Sequence, residues 1–346
     1  MANIYKTFLS NDITSTQTLL HESLPLTGTI VSGTYADNNI KNYSHAMFQS
    51  VYDYPYLSSS ANKIFDLSFG WSVNSNKSSS AYPANAKKIR MYNTMAKQLV
   101  GHDATGTINE FDRDGDPTTT TDKMREVFFI NYSRLLYKDE IKKGSFRLQF
   151  LTGGASSAPP ESSLSTVGDY GAATSYRVNS PVGEYGILYS SSTSAANRAL
   201  GLVYYQAGIA VLTASLFSAS INNALTRDFL ATSSVNVAMT GSTIEEMCNG
   251  LRNRWYDCDF NNTVELNSSI YYCRVNHNDY NYSSNQTYLS ASKMVCKNSS
   301  KDHPVSYITG IGLYSADNKL LASAKLSEPL KNTPENELTL RVRLDY

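Results

Sequence analysis

The sequence predicts an α+β N-terminal region followed by a C-terminal all-β domain, a β-sandwich or small barrel. Three observations lead there. Residues 82–101 and 241–258 carry apolar side chains at helical spacing. The run "ALGLVYYQAGIAVLTASLF", residues 199–217, is apolar with Val, Ile and Tyr on both sides of a Gln-Ala-Gly break. Beyond Cys258 the chain turns to short apolar–polar alternations cut by turn residues. The domain boundary is therefore placed near residue 257. Residues 1–257 form the mixed region, with a subdomain split near 125, and residues 258–346 form the sandwich-like domain.

Each element has its own signal. "YSHAMFQSVYDY", residues 43–54, is predicted as a short helix. In "YPANAKKIRMYNTMAKQLVG", Pro83 suits the first helical turn and Gly101 stops the helix. Ile89, Tyr92, Ala96 and Leu99 make its apolar stripe, and Lys87, Lys88, Arg90 and Lys97 fall mostly off it. Residues 145–151 alternate Phe146, Leu148 and Phe150 with polar neighbours, a half-buried strand, while the segment before them fits strand or helix. The Gly/Ser/Pro-rich residues 152–186 read as one long loop. Residues 199–217 read as a buried hairpin turning at Gln206-Ala207-Gly208 rather than as a membrane span.

In "GSTIEEMCNGLRNRWYDC", Ser242 and Glu245 satisfy a capping box, and Ile244, Met247, Leu251 and Trp255 share a face. Five β segments follow. The last hairpin, "ITGIGLYSADNKLLASAKL", turns at Asp317-Asn318 and is expected to fill the core with Ile311, Leu313, Leu320 and Leu326.

Composition narrows function. Thirty basic residues balance thirty acidic ones, so the basic excess that phosphate backbones demand is missing and no nucleic-acid partner is expected. Polarity comes instead from Ser, Thr, Asn and 25 tyrosines, which supply contact area at low rotamer cost. The N-terminal "MANIYKTFLSNDITSTQ" shows no basic stretch before an apolar core, so no secretory signal is read. Cys248, Cys258, Cys273 and Cys296 lack the close pairs of zinc sites. They are expected as reduced thiols, although a bridge between Cys258 and Cys273 is conceivable if a hairpin folds near Asn267-Ser268.

Catalytic chemistry finds little support. In "FDRDGDPTTTTDK" an EF-hand counted from Asp112 would need Gly at its sixth place and Glu at its twelfth; Pro117 and Lys123 stand there. The run reads as a solvated acidic turn. His277 lies two residues from Asp279 but has no second histidine nearby. Nucleophile elbows and phosphate-binding glycine loops are missing. No catalytic residue, metal or cofactor is expected, and the chain is not read as an enzyme.

The C-terminal hairpin carries a resemblance. Ile308, Ile311, Gly312, Leu313, Tyr314, Asp317, Leu320, Leu321 and Ala322 match a hairpin pattern of phage tail-fibre and baseplate-associated proteins. "FFINYSRLLYKDEIKKGSF", "GLVYYQAGIAVLTAS" and "FNNTVELNSSIYYCRVNHNDYNYSSN" are similar to segments of an uncharacterised class of virion structural proteins of contractile-tailed phages, marine and cyanobacterial ones among them. The resemblance covers much of the chain from about residue 125. It implies a particle component assembled in the bacterial cytoplasm, with other virion proteins or further copies of itself as partners. A baseplate or fibre-attachment subunit is the first expectation, with neck, collar or capsid decoration next. A receptor- or glycan-binding tail module is the alternative from another class. Interface residues are expected at Tyr280, Tyr282 and Tyr288, and at Ala158, Pro159 and Pro160 in the Gly/Ser/Pro segment.

Overall fold

The computed structural model describes residues 5–25, 37–78, 84–116, 121–151, 164–190, 199–217, 240–281, 289–290, 293–294 and 305–346. The chain divides into two compact units: Leu20–Val264, and Met1–Leu19 with Glu265–Tyr346.

The larger unit is built on antiparallel strands. In chain order these are β1 (Ile13–Pro25, of which residues 20–25 belong to this unit), β2 (Ile40–Asn42), β3 (Gln49–Tyr52), β4 (Lys63–Trp71), β5 (Glu126–Tyr132), β6 (Arg147–Leu151) and β7 (Leu164–Gly168). There follow β8 (Gly183–Tyr189), β9 (Ala199–Tyr204), β10 (Ile209–Thr213) and β11 (Trp255–Val275, of which residues 255–264 belong to this unit). Pairing runs β2-β3-β4-β5-β10-β9-β8-β7-β6-β11, and it joins hairpin neighbours to distant segments. The predicted hairpin is present, with Tyr204 opposite Ile209 and the turn at residues 205–208.

The N-terminal region is thus not α+β. Among the described residues strand accounts for 50% and helix for 15%. Among the described residues only three α-helices occur: α1 (Asn85–Leu99), α2 (Arg134–Tyr137) and α3 (Ile244–Arg254). The physical reason lies in pairing. "MFQSVYDY" has enough apolar residues for a helical face, but Gln49–Tyr52 pairs with β4 and is buried there. The Gly/Ser/Pro segment, read as one loop, contributes Leu164–Gly168, Arg177–Ser180 and the start of β8.

Both faces of the central strands are covered, which explains their unbroken apolar runs. Phe128 and Ile130 of β5 join one core with Ile244, Met247 and Leu251 of α3. Their neighbours Val127 and Phe129 join a second core with Met91, Tyr92, Ala96 and Leu99 of α1. Close packing of α1 depends on Gly70 of β4: a Cβ there would stand 2.7 Å from the Lys88 carbonyl oxygen. Phe65 stacks on Trp255 at 4.6 Å between ring centroids, tying β4 to β11. Each such fully buried large side chain contributes about 1.5–3 kcal/mol.

The α3 cap lies one residue later than read. Thr243, not Ser242, accepts from the Glu246 amide, and the Glu246 carboxylate accepts from the Thr243 amide. β11 runs unbroken through residues 267–268, so Cys258 and Cys273 sit on one strand and no disulfide joins them.

The smaller unit has β12 (Ser306–Tyr314), β13 (Leu320–Asn332) and β14 (Leu338–Asp345). β14 pairs antiparallel with the second half of β11, from Ser268↔Asp345 to Val275↔Leu338. β12 and β13 form a separate two-stranded sheet.

Candidate functional site

The smaller unit presents the surface of greatest functional interest, because its strands alternate without producing a core. On β14, Leu338, Leu340, Val342 and Leu344 turn to one side and Thr339, Arg341, Arg343 and Asp345 to the other. That is the pattern of a strand half-buried on one face. Yet among the described residues the unit's well-buried apolar side chains are Val275, Leu313 and Val342, each 7–8% exposed. Neither hydrophobic core contains a residue of this unit.

The terminal hairpin shows the deficit most clearly. Its turn is well formed: Asn318 takes φ +59°, its amide donates to the Ser315 carbonyl at 3.0 Å, and the Lys319 amide donates to Ser315 Oγ at 3.2 Å. Of the four side chains expected in the core, Leu313 is buried and Ile311 and Leu326 are half-buried. Leu320 is exposed, as are Leu321 beside it, at 71%, and Tyr307 at the other end of the hairpin opposite Lys331, at 61%. The alternation was read correctly, but a two-stranded sheet has one layer and cannot enclose both of its faces.

Of the predicted interface residues, Tyr280 is exposed and takes φ +56°, a left-handed position that costs a bulky side chain about 1–3 kcal/mol. Tyr282, Tyr288, Ala158, Pro159 and Pro160 lie outside the described residues. The loop around Tyr280 is fixed by polar contacts. Asn332 Nδ2 donates to the Asp279 carbonyl at 2.8 Å, and Asn281 Nδ2 donates to the His277 carbonyl at 2.6 Å. The Lys6 ammonium rests on the Asp279 carboxylate and holds its pKa below the usual value. His277 meets Glu337 at 3.4 Å instead of sharing a metal with Asp279.

In the larger unit the acidic run is a solvated turn only in part: Asp114 and Asp116 are exposed, but Asp112 is not. Asp112 is buried in a two-residue ladder and pairs with Lys123 at 2.9 Å. Arg177 donates to the Asp114 carbonyl, and Asn179 and Tyr185 both donate to the Gly115 carbonyl, at 3.1–3.2 Å. The Asp114 and Gly115 carbonyl oxygens are thus spent on protein donors. No group of three His, Cys, Asp or Glu that could hold a metal occurs among the described residues.

Two buried ionic groups escaped the sequence reading. Lys88 has no exposed surface; its ammonium lies 4.5 Å from the Trp71 ring centroid and donates to the Ser242 carbonyl at 2.5 Å. Asp169, equally buried, accepts from the Gly144 amide at 2.8 Å, the Phe146 amide at 2.9 Å, Tyr205 Oη at 3.0 Å and Arg147 at 3.1 Å. Both are fold anchors, enclosed and engaged by protein groups. Burial raises the thiol pKa of Cys248 and Cys258 well above the ordinary range, so neither is a ready thiolate. The groove along the outer stripe of α1, lined by Ile89, Arg90, Asn93 and Lys97, gathers no acid–base pair.

No helix among the described residues is long and apolar enough to cross a membrane. No family model, curated protein or solved structure matches this chain.

Proposed function

We propose that this chain is a structural subunit of a tailed-phage particle, acting by protein–protein docking through its smaller β unit. A baseplate or fibre-attachment position is the preferred place. The observation that carries the reading is the contrast between the two units. The larger encloses two aromatic-rich cores, whereas among the described residues of the smaller Tyr307, Tyr314, Leu320, Leu321 and Tyr346 stand in solvent and only Val275, Leu313 and Val342 are well-buried apolar side chains. Single exposed apolar residues are ordinary, but a unit whose strands keep the alternation of a buried face and lack the covering layer marks an interaction surface. The hairpin resemblance supports a virion setting. Near-neutral charge and abundant uncharged polar groups suit a subunit covered by neighbours.

Substituting Leu320 and Leu321 together by serine tests the reading. Both side chains are exposed, so the isolated chain should keep its stability within about 0.5 kcal/mol. Incorporation into the particle should be lost, as read by mass spectrometry of purified virions and a cryo-EM map of the tail. Normal incorporation of the double variant would overturn docking through this hairpin. A map with the smaller unit free and distal would favour a receptor-binding role.

A further inference from the structure

We propose that Lys123 and Asp112 condense into an amide within the chain, a covalent staple across a two-residue ladder, with Asp114 taking up the proton that the reaction releases. The staple lies wholly in the larger unit and is independent of the docking reading. The ladder joins Phe111–Asp112 to Lys123–Met124 and sets Asp112 directly opposite Lys123. The Lys123 ammonium stands 2.9 Å from Asp112 Oδ2, and the two side chains are only 10% and 3% exposed. The carbon that the amine must attack is the atom bonded to that oxygen. Holding the two groups together in this way removes the entropic cost of bringing them into contact. The ladder also has a need for the link, since it consists of two residue pairs and short two-stranded ribbons are marginal by themselves.

Three features separate this pair from an ordinary ion pair. First, its ladder neighbours Phe111 and Met124 lie in the second core, as does Tyr185. Burial disfavours the charged forms and keeps water from the reacting atoms, which favours amide formation over hydrolysis. Second, another carboxyl touches the pair. Burial, and then a hydrogen bond with the Asp114 carboxyl, raise the Asp112 pKa against the pull of Lys123. The same hydrogen bond, with the Asp116 amide behind it, holds Asp114 below the usual carboxylate range. Asp112 therefore keeps the proton that makes its carbon open to attack, and Asp114 is the base. Third, the frame is fixed. The Asp114 amide donates to Asp112 Oδ1 and the Asp116 amide to Asp114 Oδ1, both at 3.0 Å, and the Arg113 amide donates to the Asp122 carbonyl at 3.1 Å. In the reaction the Lys123 Nζ–Asp112 Cγ bond forms and the Cγ–OH bond breaks. Of the three ammonium protons one stays on the amide nitrogen, one leaves with the hydroxyl as water, and one passes to Asp114. Asp114 is exposed, so that proton has a path to solvent.

Intact mass tests the staple. The folded full-length chain is transferred to denaturant with reductant and its mass is read at isotopic resolution. The amide predicts a mass below that of the sequence by one water, and fragment spectra that place the loss in a link between Asp112 and Lys123. Lys123→Arg keeps the positive charge and removes the attacking amine. Asp114→Ser keeps an oxygen for the Asp116 amide and removes the base. Both variants should show the full mass. A cyclic imide at Asp114-Gly115 would also lose one water, but it opens in hydroxylamine and persists in Lys123→Arg, whereas the amide resists hydroxylamine and is lost in that variant. Full mass in the parent chain, or a loss that maps to the imide, overturns the proposal. A link that still forms in Asp114→Ser overturns the role given to Asp114.

Discussion

Replacing Asp169 by alanine is expected to cost about 3–5 kcal/mol of stability, the range for removing one partner from a buried ionic network. The carboxylate gathers two backbone amides, the Tyr205 hydroxyl and Arg147 at the junction of β6 and β7. Without it the Phe146 amide and the Tyr205 hydroxyl are left buried beside a void, and each buried group without a partner costs about 1–3 kcal/mol. Asparagine keeps the shape but turns an amide NH₂ toward one of the donors, so its cost should be intermediate. Burial raises the Asp169 pKa against the pull of these donors. Urea unfolding of the two variants beside the parent checks the order alanine, asparagine, parent. Equal midpoints would mean that the network is dispensable.

Lys88 is expected to make stability rise with pH on the alkaline side. Burial pulls its pKa down to about 8, with Glu246 opposing the shift. The unfolded chain holds the proton up to about 10.5. Below about pH 8 both states carry the proton and the cost of a buried ammonium is felt in full. Between the two pKa values the folded state releases the proton while the unfolded state keeps it. Stability therefore climbs across that window and levels off above it. Lys88→Met fills nearly the same volume without charge, so the difference between parent and variant isolates this contribution from the tyrosines that titrate nearby. Lys88→Ala leaves a cavity under Trp71 and should cost about 2–5 kcal/mol. A parent–methionine difference independent of pH from 7 to about 11 would contradict this account of the site.

What the sequence could reveal followed the range of the interactions involved. The α1 stripe was legible because Tyr92, Ala96 and Leu99 need only helical geometry to share a face, and the Gln206–Gly208 turn because its signal is local. Lys88 was misplaced because its ring partner is Trp71 on β4 and its acceptor is the Ser242 carbonyl; neither is marked near residue 88. The cap of α3 was read one residue early because "STIEE" holds two overlapping Ser/Thr-x-x-Glu frames. The acidic run looked solvated throughout because the donors to its Asp114 and Gly115 carbonyls come from Arg177, Asn179 and Tyr185, 63 to 70 residues on. The same logic produced the fold-class error. Gly- and Ser-rich strands such as Leu164–Gly168 have weak local signals, and they become strands through the ladder with Arg147–Leu151. Of the interface, Tyr280 was visible as an aromatic in polar surroundings. The exposure of Leu320 and Leu321 was not, since apolar alternation looks the same whether the covering layer comes from the same chain or another.

That last ambiguity is where the account stands or falls. Hydrogen–deuterium exchange, measured on the dilute isolated chain and again on the assembled particle, addresses it most directly. The backbone amides of β12, β13 and β14 should exchange much faster than those of β4, β5 and β10 in the isolated chain, because few buried contacts oppose local opening. In the particle they should become protected. If the isolated chain already protects β12–β14 as strongly as the larger unit, and assembly adds nothing, the smaller unit is complete by itself and the docking account is contradicted.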